Sequence, residues 1–380
     1  MQTVSRQLAP HSNAARVFIL ADDLTGACDS GAAFLASGRS VRVMLDAASP
    51  YSHHPESVLA FTTETRNLPP EQAAKLVTGV VANLKNASSP HLLFKKVDSA
   101  ARGHFGAETL AALNASGAVL ALVAPAFPQA GRTVRAGILS IRDAAAQDTT
   151  VALWDLFPTV DSAYVDTLPA AAESELEQRI ARALAANIRV LLCDAQSQAD
   201  LERLAAAASR LQQPILWTGS AGLAYALAAT LPASRSSQSV RPAQREGRTI
   251  LFVGTDHPVT ALQVSHLEAH PDAPDHAIHR VNWANPSHQE IRAAFAAAPT
   301  AALVLTGGET AAFVLRALDA SSILLASELA PGIPWGIIEG GIADGCIVVT
   351  KSGGFGPHAA LVHVFEFCNR FCNGRACAPA

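Results

Sequence analysis

Short apolar runs alternate along this chain with longer, Ala-rich segments whose apolar residues recur at helical spacing. Apolar runs of strand length are typical of strands buried on both faces, as in parallel sheets. The predicted strands of the first part of the chain are Val17–Ala21, Val41–Leu45, Val58–Thr62, Leu92–Lys96, Val119–Ala124, Val190–Cys193 and Ile215–Thr218. The predicted helices include Glu71–Leu84, Glu173–Ala186 and Ala199–Leu211. This alternation predicts an α/β fold.

One polar stretch, residues 231–248, interrupts the alternation. It is rich in Ser, Arg, Gln and Pro, which is typical of a linker. Strands are predicted again beyond it, at Thr249–Val253, Ala277–Val281, Ala301–Leu305 and Cys346–Thr350. We therefore predict two Rossmann-like domains, each a largely parallel sheet flanked by helices. The predicted segments are a disordered N-terminus at 1–15, a first domain at 16–231, a linker at 232–248, a second domain at 249–366 and a flexible tail at 367–380.

Composition narrows the class of protein. The 380 residues are 49% hydrophobic and only 16% charged, which fits a compact globular protein. A formal net charge of -4 gives no electrostatic reason to expect nucleic acid or anionic membrane as a partner. No apolar stretch is long enough to span a bilayer, and residues 1–15 lack the apolar core of a signal peptide. We expect a cytoplasmic protein with small-molecule ligands, and the apolar composition is compatible with a homodimer.

Three of the six cysteines, Cys368, Cys372 and Cys377, fall within the last 13 residues. With His363 upstream they invite interpretation as a metal site. Their spacing matches no standard zinc pattern, so we favour ordinary thiols in a tail.

The end of the first predicted strand carries the first candidate chemistry. Asp22 and Asp23 follow it directly, and Thr25 and Gly26 come next. Ligands of parallel sheets bind beyond the carboxyl ends of the strands, which is where these two carboxylates lie. The alternative is that one of them only caps the following helix. Two adjacent carboxylates followed by Thr-Gly favour a functional role.

A cationic cluster lies at the end of another predicted strand. Its members, within eight residues, are Lys95, Lys96, Asp98, Ser99 and Arg102. Such groups could hold a carboxylate or a phosphate, and arginine offers a bidentate fork. The alternative is a solvated lysine pair on an edge strand. Arg66 follows a third strand. Together, the two aspartates, the cationic cluster and Arg66 are the side chains expected of a site that binds a small polyhydroxy acid.

Glycine-rich turns follow three strands of the second domain. They are Gly254-Thr255, Gly307-Gly308-Glu309-Thr310 and Gly353-Gly354. Glycine turns that lead into helices bind phosphates through free backbone N–H groups, so three in one domain suggest a nucleotide. The dinucleotide fingerprint G-x-G-x-x-G is absent. The segment from Gly345 to Ser352 resembles a Walker A motif but lacks its second glycine.

Taken in order, these motifs resemble the four-carbon acid sugar kinase family over nearly the whole chain, from about Arg16 to Gly356. The segments that carry the resemblance are ADDLTGACDSG, TTETRN, KKVDSAARGHFGAET, APAFPQAGRT, GSAGLA, LTGGETA and TKSGGFG. The resemblance implies an N-terminal sugar-acid domain, a C-terminal nucleotide domain and phosphorylation by ATP of D-threonate, D-erythronate or 3-oxo-tetronate. The chain departs from the family's pattern at Ala100-Ala101 and at Asp256-His257, which bears on the exact substrate.

The resemblance also implies roles for individual residues. The sugar acid would contact Asp22 or Asp23, Arg66 and the segment Lys95–Ser99, with Arg102 beside them. ATP would contact Thr255, Gly307, Gly308, Glu309, Thr310, Gly353 and Gly354. A carboxylate would orient or deprotonate the attacking hydroxyl, with Asp23 or Asp22 first and Asp98 second. Mg²⁺ would bridge the phosphates, and its ligands stay open, with Glu309 and Asp256 as candidates through water.

Two other functions stay open at this point. A nicotinamide-dependent sugar-acid dehydrogenase would also have two α/β domains, although the missing dinucleotide fingerprint counts against it. A non-catalytic sugar-acid sensor on a kinase-like scaffold would bind the acid without forming ADP.

Overall fold

The structure is a computed structural model that describes residues 16–49, 57–85, 91–142, 148–161, 165–234, 240, 242, 245–270 and 278–372. In the first domain the strands and helices, in chain order, are β1 Arg16–Ala21, α1 Leu24–Ala32, β2 Val41–Met44, β3 Val58–Thr62, α2 Pro70–Lys85, β4 His91–Lys96, α3 Phe105–Ser116, β5 Leu120–Ala124, β6 Arg132–Arg135, β7 Ile138–Arg142, β8 Asp148–Ala152, β9 Val165–Leu168, α4 Glu173–Ala185, β10 Val190–Cys193, α5 Gln198–Arg210, β11 Ile215–Gly219 and α6 Ala221–Thr230. In the second domain they are β12 Arg248–Val253, α7 Pro258–Glu268, β13 Ile278–Arg280, α8 His288–Ala296, β14 Thr300–Thr306, α9 Gly308–Ala317, β15 Ser322–Glu328, β16 Pro334–Glu339, β17 Ile347–Lys351 and α10 Ala360–Cys372. Short 3₁₀ helices cover Leu35–Ser37, Pro128–Ala130 and Leu153–Leu156.

Fourteen of these strands form one sheet, in the order β13-β12-β14-β17-β16-β15-β2-β3-β1-β4-β11-β5-β10-β9. Strand β1 lies between β3 and β4 and is parallel to both. Its residues from Val17 to Ala21 are fully buried, as the apolar pattern predicts for a strand covered on both faces. The two-domain α/β class is thereby confirmed, and the carboxyl ends of β1, β3 and β4 lie next to one another.

The sheets of the two domains are continuous, which the apolar pattern did not predict. Strand β2 of the first domain pairs antiparallel with β15 of the second, with Val43 opposite Ile323. Strands β15 and β16 form an antiparallel hairpin, and β16 also pairs antiparallel with β17. The sheet of the second domain is therefore mixed, because a hairpin of two consecutive strands must run antiparallel.

The apolar core follows the alternation of side chains along the strands. In β12, Ile250 and Phe252 belong to a core that extends through the first domain, whereas Leu251 and Val253 face a second core under α7 and α10. A two-residue period sends successive side chains to opposite faces of the sheet. At β12, therefore, each face of the sheet packs against its own apolar core.

A small separate sheet, β6-β7-β8, projects from the first domain. It is attached where both carboxylate oxygens of Asp194 accept the backbone N–H groups of Ala136 and Gly137, at 2.6 and 2.9 Å. Leu139 and Val134 of this sheet are buried against the domain. This attachment holds the turn between β6 and β7, just beyond the end of β6.

Part of the predicted segmentation lies outside the described residues. That holds for 1–15, for much of the linker and for 373–380. The predicted start of the tail at 367 is wrong, because α10 continues to Cys372 and Cys368 is fully buried in its apolar core. None of the helices in the described ranges is long and apolar enough to cross a membrane.

Candidate active site

A cavity of about 870 Å³ lies between the two domains at the carboxyl ends of the strands. We call it the interdomain cavity. Its first-domain wall follows β1, β3 and β4, and its second-domain wall follows β12, β14 and β17. Every predicted site residue except Lys95 lines it, namely Asp22, Asp23, Arg66, Lys96, Asp98, Ser99, Arg102, Thr255, Gly307, Gly308, Glu309, Thr310, Gly353 and Gly354.

Asp22 and Asp23 form the acidic floor of the cavity. The helix-cap alternative also holds, because Oδ1 of Asp23 accepts the N–H of Gly26 at 2.8 Å at the start of α1. Oδ2 of Asp23 accepts the hydroxyl of Thr25 at 2.9 Å. Capping and cavity lining are compatible here, since a helix that begins at the carboxyl end of a strand places its cap at the ligand-binding edge.

Arg66 holds both aspartates. Its Nε lies 2.8 Å from Oδ2 of Asp22, and its Nη1 lies 2.8 Å from Oδ2 of Asp23. Its Nη2 also approaches Asp98 at 3.5 Å. The guanidinium is therefore an anchor for three buried carboxylates as well as part of the cavity wall.

Burial and the neighbouring charges shift the pKa values of Asp22 and Asp23 in opposite directions. Burial raises the pKa of Asp22 above its ordinary value, although Arg66 opposes this. Burial also acts to raise the pKa of Asp23, but Arg66, Lys96 and the N–H of Gly26 outweigh it and the pKa is lowered. Asp23 is thus held as a carboxylate, which can accept a hydrogen bond from a substrate hydroxyl.

Lys95 and Lys96 separate to opposite faces of β4, as the two-residue period requires. The ammonium of Lys95 is buried beneath α3, 2.7 Å from a carboxylate oxygen of Glu108. Lys95 thus does not line the cavity, and its predicted contact with the ligand stays a prediction that this geometry does not support. Lys96 faces the cavity, beside Gly26, and no hydrogen bond or ion pair forms to its ammonium from the described residues.

Asp98 and Arg102 form a closed pair at the edge of the cavity. The guanidinium of Arg102 reaches the two oxygens of Asp98 at 2.7 and 2.9 Å. Asp98 also accepts the N–H groups of Ala100 and Arg102, at 3.0 and 3.2 Å. Burial opposes ionisation, but the partnership with Arg102 and Arg66 holds the pKa of Asp98 far below its usual range. Within the predicted anion site, the positive charges of Lys95 and Arg102 are thus balanced by Glu108 and Asp98, and Lys96 has no such partner among the described residues.

Three glycine turns converge on the opposite wall. Gly307 has φ +91°, a conformation that favours glycine, and its N–H donates to the carbonyl of Lys351 at 2.8 Å. A Cβ on Gly353 would lie 2.9 Å from the hydroxyl of Thr255, and one on Gly254 would lie 2.5 Å from that of Thr310. The turns therefore pack so closely that side chains at these glycines would not fit.

The two walls touch at Asp23 and Gly308. A Cβ on Gly308, the first residue of α9, would lie only 2.2 Å from Oδ2 of Asp23. The carboxylate floor thus meets the N-terminus of α9, whose first N–H groups have no partner within the helix. Phe127 and Phe355 make a second contact between the domains, with ring centroids 5.8 Å apart.

Two carboxyl groups of the cavity escaped the sequence analysis. Asp29 lies on α1 and Glu64 follows β3, and both line the cavity. Burial raises the pKa of each to about 7. Helical spacing could have indicated Asp29, because it follows Thr25 and Gly26 by four and three positions on one face of α1.

The face of α9 on the cavity was also missed. Glu309, Ala312, Phe313 and Arg316 line the cavity at successive helical positions. Phe313 packs against Trp283, with ring centroids 5.5 Å apart, and both rings lie at the cavity wall. The same i, i+3, i+4, i+7 spacing would have extended the predicted site from Glu309 along the helix.

Comparison with known proteins agrees with this division into two walls. Residues 17–227 match the family model of a sugar-binding N-terminal domain, and residues 233–361 match that of a nucleotide-binding C-terminal domain. A solved structure of a Salmonella typhimurium protein has the same fold, with a TM-score of 0.71 and 20% identity over 93% of this chain and 99% of that chain. The family models thus assign a sugar-binding half and a nucleotide-binding half to the chain.

Curated relatives define the family more narrowly. The chain is 33% identical to a D-threonate kinase of Bordetella bronchiseptica, over 92% of this chain and 96% of the relative. It is 24% identical to a 3-oxo-tetronate kinase of Actinobacillus succinogenes, over 89% and 96% respectively. The chain belongs to the four-carbon acid sugar kinase family.

Proposed function

We propose that this kinase transfers the γ-phosphoryl group of ATP to the terminal hydroxyl of a four-carbon sugar acid, with D-threonate as the first candidate and D-erythronate or 3-oxo-tetronate as alternatives. The observation that carries the proposal is the contact between Asp23 and Gly308, where an ionised carboxylate meets a helix N-terminus inside one cavity. A hydroxyl held by the carboxylate would face a phosphate held by the helix. D-threonate comes first because a D-threonate kinase is 33% identical over 92% of this chain, whereas a D-erythronate kinase is 29% identical over 67% of it and a 3-oxo-tetronate kinase is 24% identical.

The acid's carboxylate binds Lys96 in this proposal. Arg66 and Arg102 are paired with buried carboxylates, whereas the ammonium of Lys96 faces the cavity without such a partner among the described residues. Charge-assisted hydrogen bonds from a desolvated ammonium are among the stronger polar contacts. Ser99, at the same wall, supplies a hydroxyl for the polyol.

ATP binds the opposite wall in this proposal. The phosphates accept N–H groups from the α9 N-terminus, at Gly308, Glu309 and Thr310, and from the turn at Gly353 and Gly354. The hydroxyl of Thr255 lies between these two turns. The apolar rings of Phe313 and Trp283 offer a surface for the base.

Asp23 orients the attacking hydroxyl. Its lowered pKa makes it a hydrogen-bond acceptor and a weak base, which suits phosphoryl transfer, where positioning and charge neutralisation dominate. Asp22 supports it through the shared guanidinium of Arg66. Asp98, paired with Arg102, is a less suitable acceptor.

Mg²⁺ would be held with the phosphates by carboxylates of the nucleotide wall. Asp256 and Glu309 both line the cavity there, and in the described part of the chain neither forms an ion pair or a side-chain hydrogen bond. No group of three metal-ligating side chains occurs in the same part of the chain, which fits an ion that keeps waters and uses one or two carboxylates plus phosphates. The ion would neutralise charge on the transferring group.

The test is ADP release by purified protein with Mg·ATP against D- and L-threonate, D- and L-erythronate and 3-oxo-tetronate, with glycerate as a shorter control. Turnover with one or two four-carbon acids supports the proposal and identifies the substrate. Tight binding of an acid without ADP formation would instead favour the sensor alternative. Asp23→Asn should lower kcat about 10²–10⁴-fold, and near-native turnover in both Asp23→Asn and Asp22→Asn would contradict the assigned role.

A further inference from the structure

The loop after β17, Ser352–Pro357, accepts hydrogen bonds from a lysine buried in the second domain. We call this segment the glycine loop. The ammonium of Lys351 donates to the carbonyls of Ser352, Gly353 and Phe355, at 2.8, 3.3 and 3.0 Å. Lys351 is completely buried and does not line the interdomain cavity. It therefore differs from the phosphate-contacting lysine of a Walker A motif, which the sequence around it resembles.

Two side chains of α7 complete the support. The hydroxyl of Thr260 donates to the carbonyl of Gly353 at 2.7 Å. Nε2 of Gln263, which carries two N–H donors, lies within hydrogen-bond distance of the carbonyls of Phe355, Gly356 and Pro357, at 3.0, 3.0 and 2.9 Å. Five carbonyls of the glycine loop are thus directed into the domain.

The direction of these carbonyls fixes the direction of the N–H groups. In a trans peptide the C=O of one residue and the N–H of the next point to opposite sides. Because the carbonyls of Ser352 and Gly353 point inward, the N–H groups of Gly353 and Gly354 point outward, to the side where both residues line the cavity. Within the described ranges, neither of these N–H groups has an acceptor.

We propose that Lys351 is a positioning residue for the nucleotide: it turns the glycine loop so that two backbone N–H groups face the phosphates. This inference rests on the proposed function, since it assigns the phosphates to that wall. Burial lowers the pKa of Lys351 to about 7, and among the described residues no carboxylate lies within ion-pair distance to oppose this.

The test compares two support variants with a matched control. Thr260→Val removes one hydroxyl at nearly constant shape, and Lys351→Met removes the ammonium. Thr300→Val is the control, because Thr300 is also buried in this domain and donates to the carbonyls of Phe295 and Ala298, away from the loop. For each protein, kcat, the KM for ATP, the KM for the acid and calorimetric binding of adenylyl imidodiphosphate are measured.

We expect the KM for ATP and the analogue Kd to rise about 3- to 10-fold in Thr260→Val and about 10- to 100-fold in Lys351→Met. The KM for the acid should stay within about twofold, and Thr300→Val should match the wild type in both constants. If Lys351→Met does not fold, the constants of Thr260→Val alone test the positioning role. Unchanged ATP constants in folded variants, or equal rises in both KM values, would overturn the positioning role. Wild-type protein that binds no analogue would overturn the proposed function itself.

Discussion

Replacing Asp29 by asparagine should stabilise the protein, and more so at high pH. Asp29 is 9% exposed, and its Oδ1 has no hydrogen-bond partner among the residues that the structure describes. Burial raises its pKa from 3.8 to about 7, and Glu328 and Asp23 add to the rise while Lys96 opposes it. Asparagine has nearly the same shape and carries no charge to bury.

The sign and size of this change in unfolding free energy follow from the pKa of Asp29 in the unfolded chain, 3.8, and in the folded protein, about 7. Between them the folded protein binds a proton that the unfolded chain has released, so the contribution of Asp29 to stability becomes more unfavourable as pH rises from about 4 to about 7. The penalty is about 1.5 kcal/mol at pH 5 and about 4 kcal/mol at pH 8. Relative to the wild type, Asp29→Asn should therefore gain about 2 to 3 kcal/mol more at pH 8 than at pH 5.

The assay is urea unfolding of both proteins at the two pH values, with ligand absent. Other groups titrate in this range, so the quantity to compare is the difference in unfolding free energy between variant and wild type at each pH. Asp155→Asn, at an exposed position of the same domain, is the control substitution. A difference for Asp29→Asn that is equal at both pH values within about 0.5 kcal/mol would refute the reasoning.

Two further substitutions test the walls of the cavity by steady-state kinetics. Lys96→Met should raise the KM for the sugar acid about 10- to 100-fold, because it removes a charge-assisted contact, while Lys75→Met, at an exposed position on α2, should change nothing. An unchanged KM would exclude Lys96 as the carboxylate ligand. Gly308→Ala should lower kcat by on the order of 100-fold, because its methyl group would displace the carboxylate of Asp23. Gly79→Ala is its control, since a Cβ there meets nothing within 4 Å, and equal kcat in both variants would argue against a close approach of the two walls.

Much of the cavity was predictable because parallel strands bring their carboxyl ends to one edge. Asp22, Arg66 and Lys96 lie at or just beyond the carboxyl ends of three strands that are neighbours in the sheet. The glycine turns of the second domain converge for the same reason, at the ends of β12, β14 and β17. Residues that enter the cavity one or two helical turns later, such as Asp29 and Arg316, were missed because only strand ends were considered.

The sequence by itself determined the α/β class, the positions of most strands and which loops would carry charge or glycine, because these follow from local periodicity. Only the tertiary structure decided how the charges are partnered. In the tertiary structure Lys95 pairs with Glu108, whereas Lys96 faces the cavity. Which of two adjacent lysines finds a carboxylate partner depends on residues elsewhere in the chain. The tertiary structure also joined the two domains through β2 and β15, which set Asp23 against Gly308. Strand pairing and burial at these positions depend on contacts between residues far apart in sequence. Local patterns of apolar and polar residues do not predict those contacts.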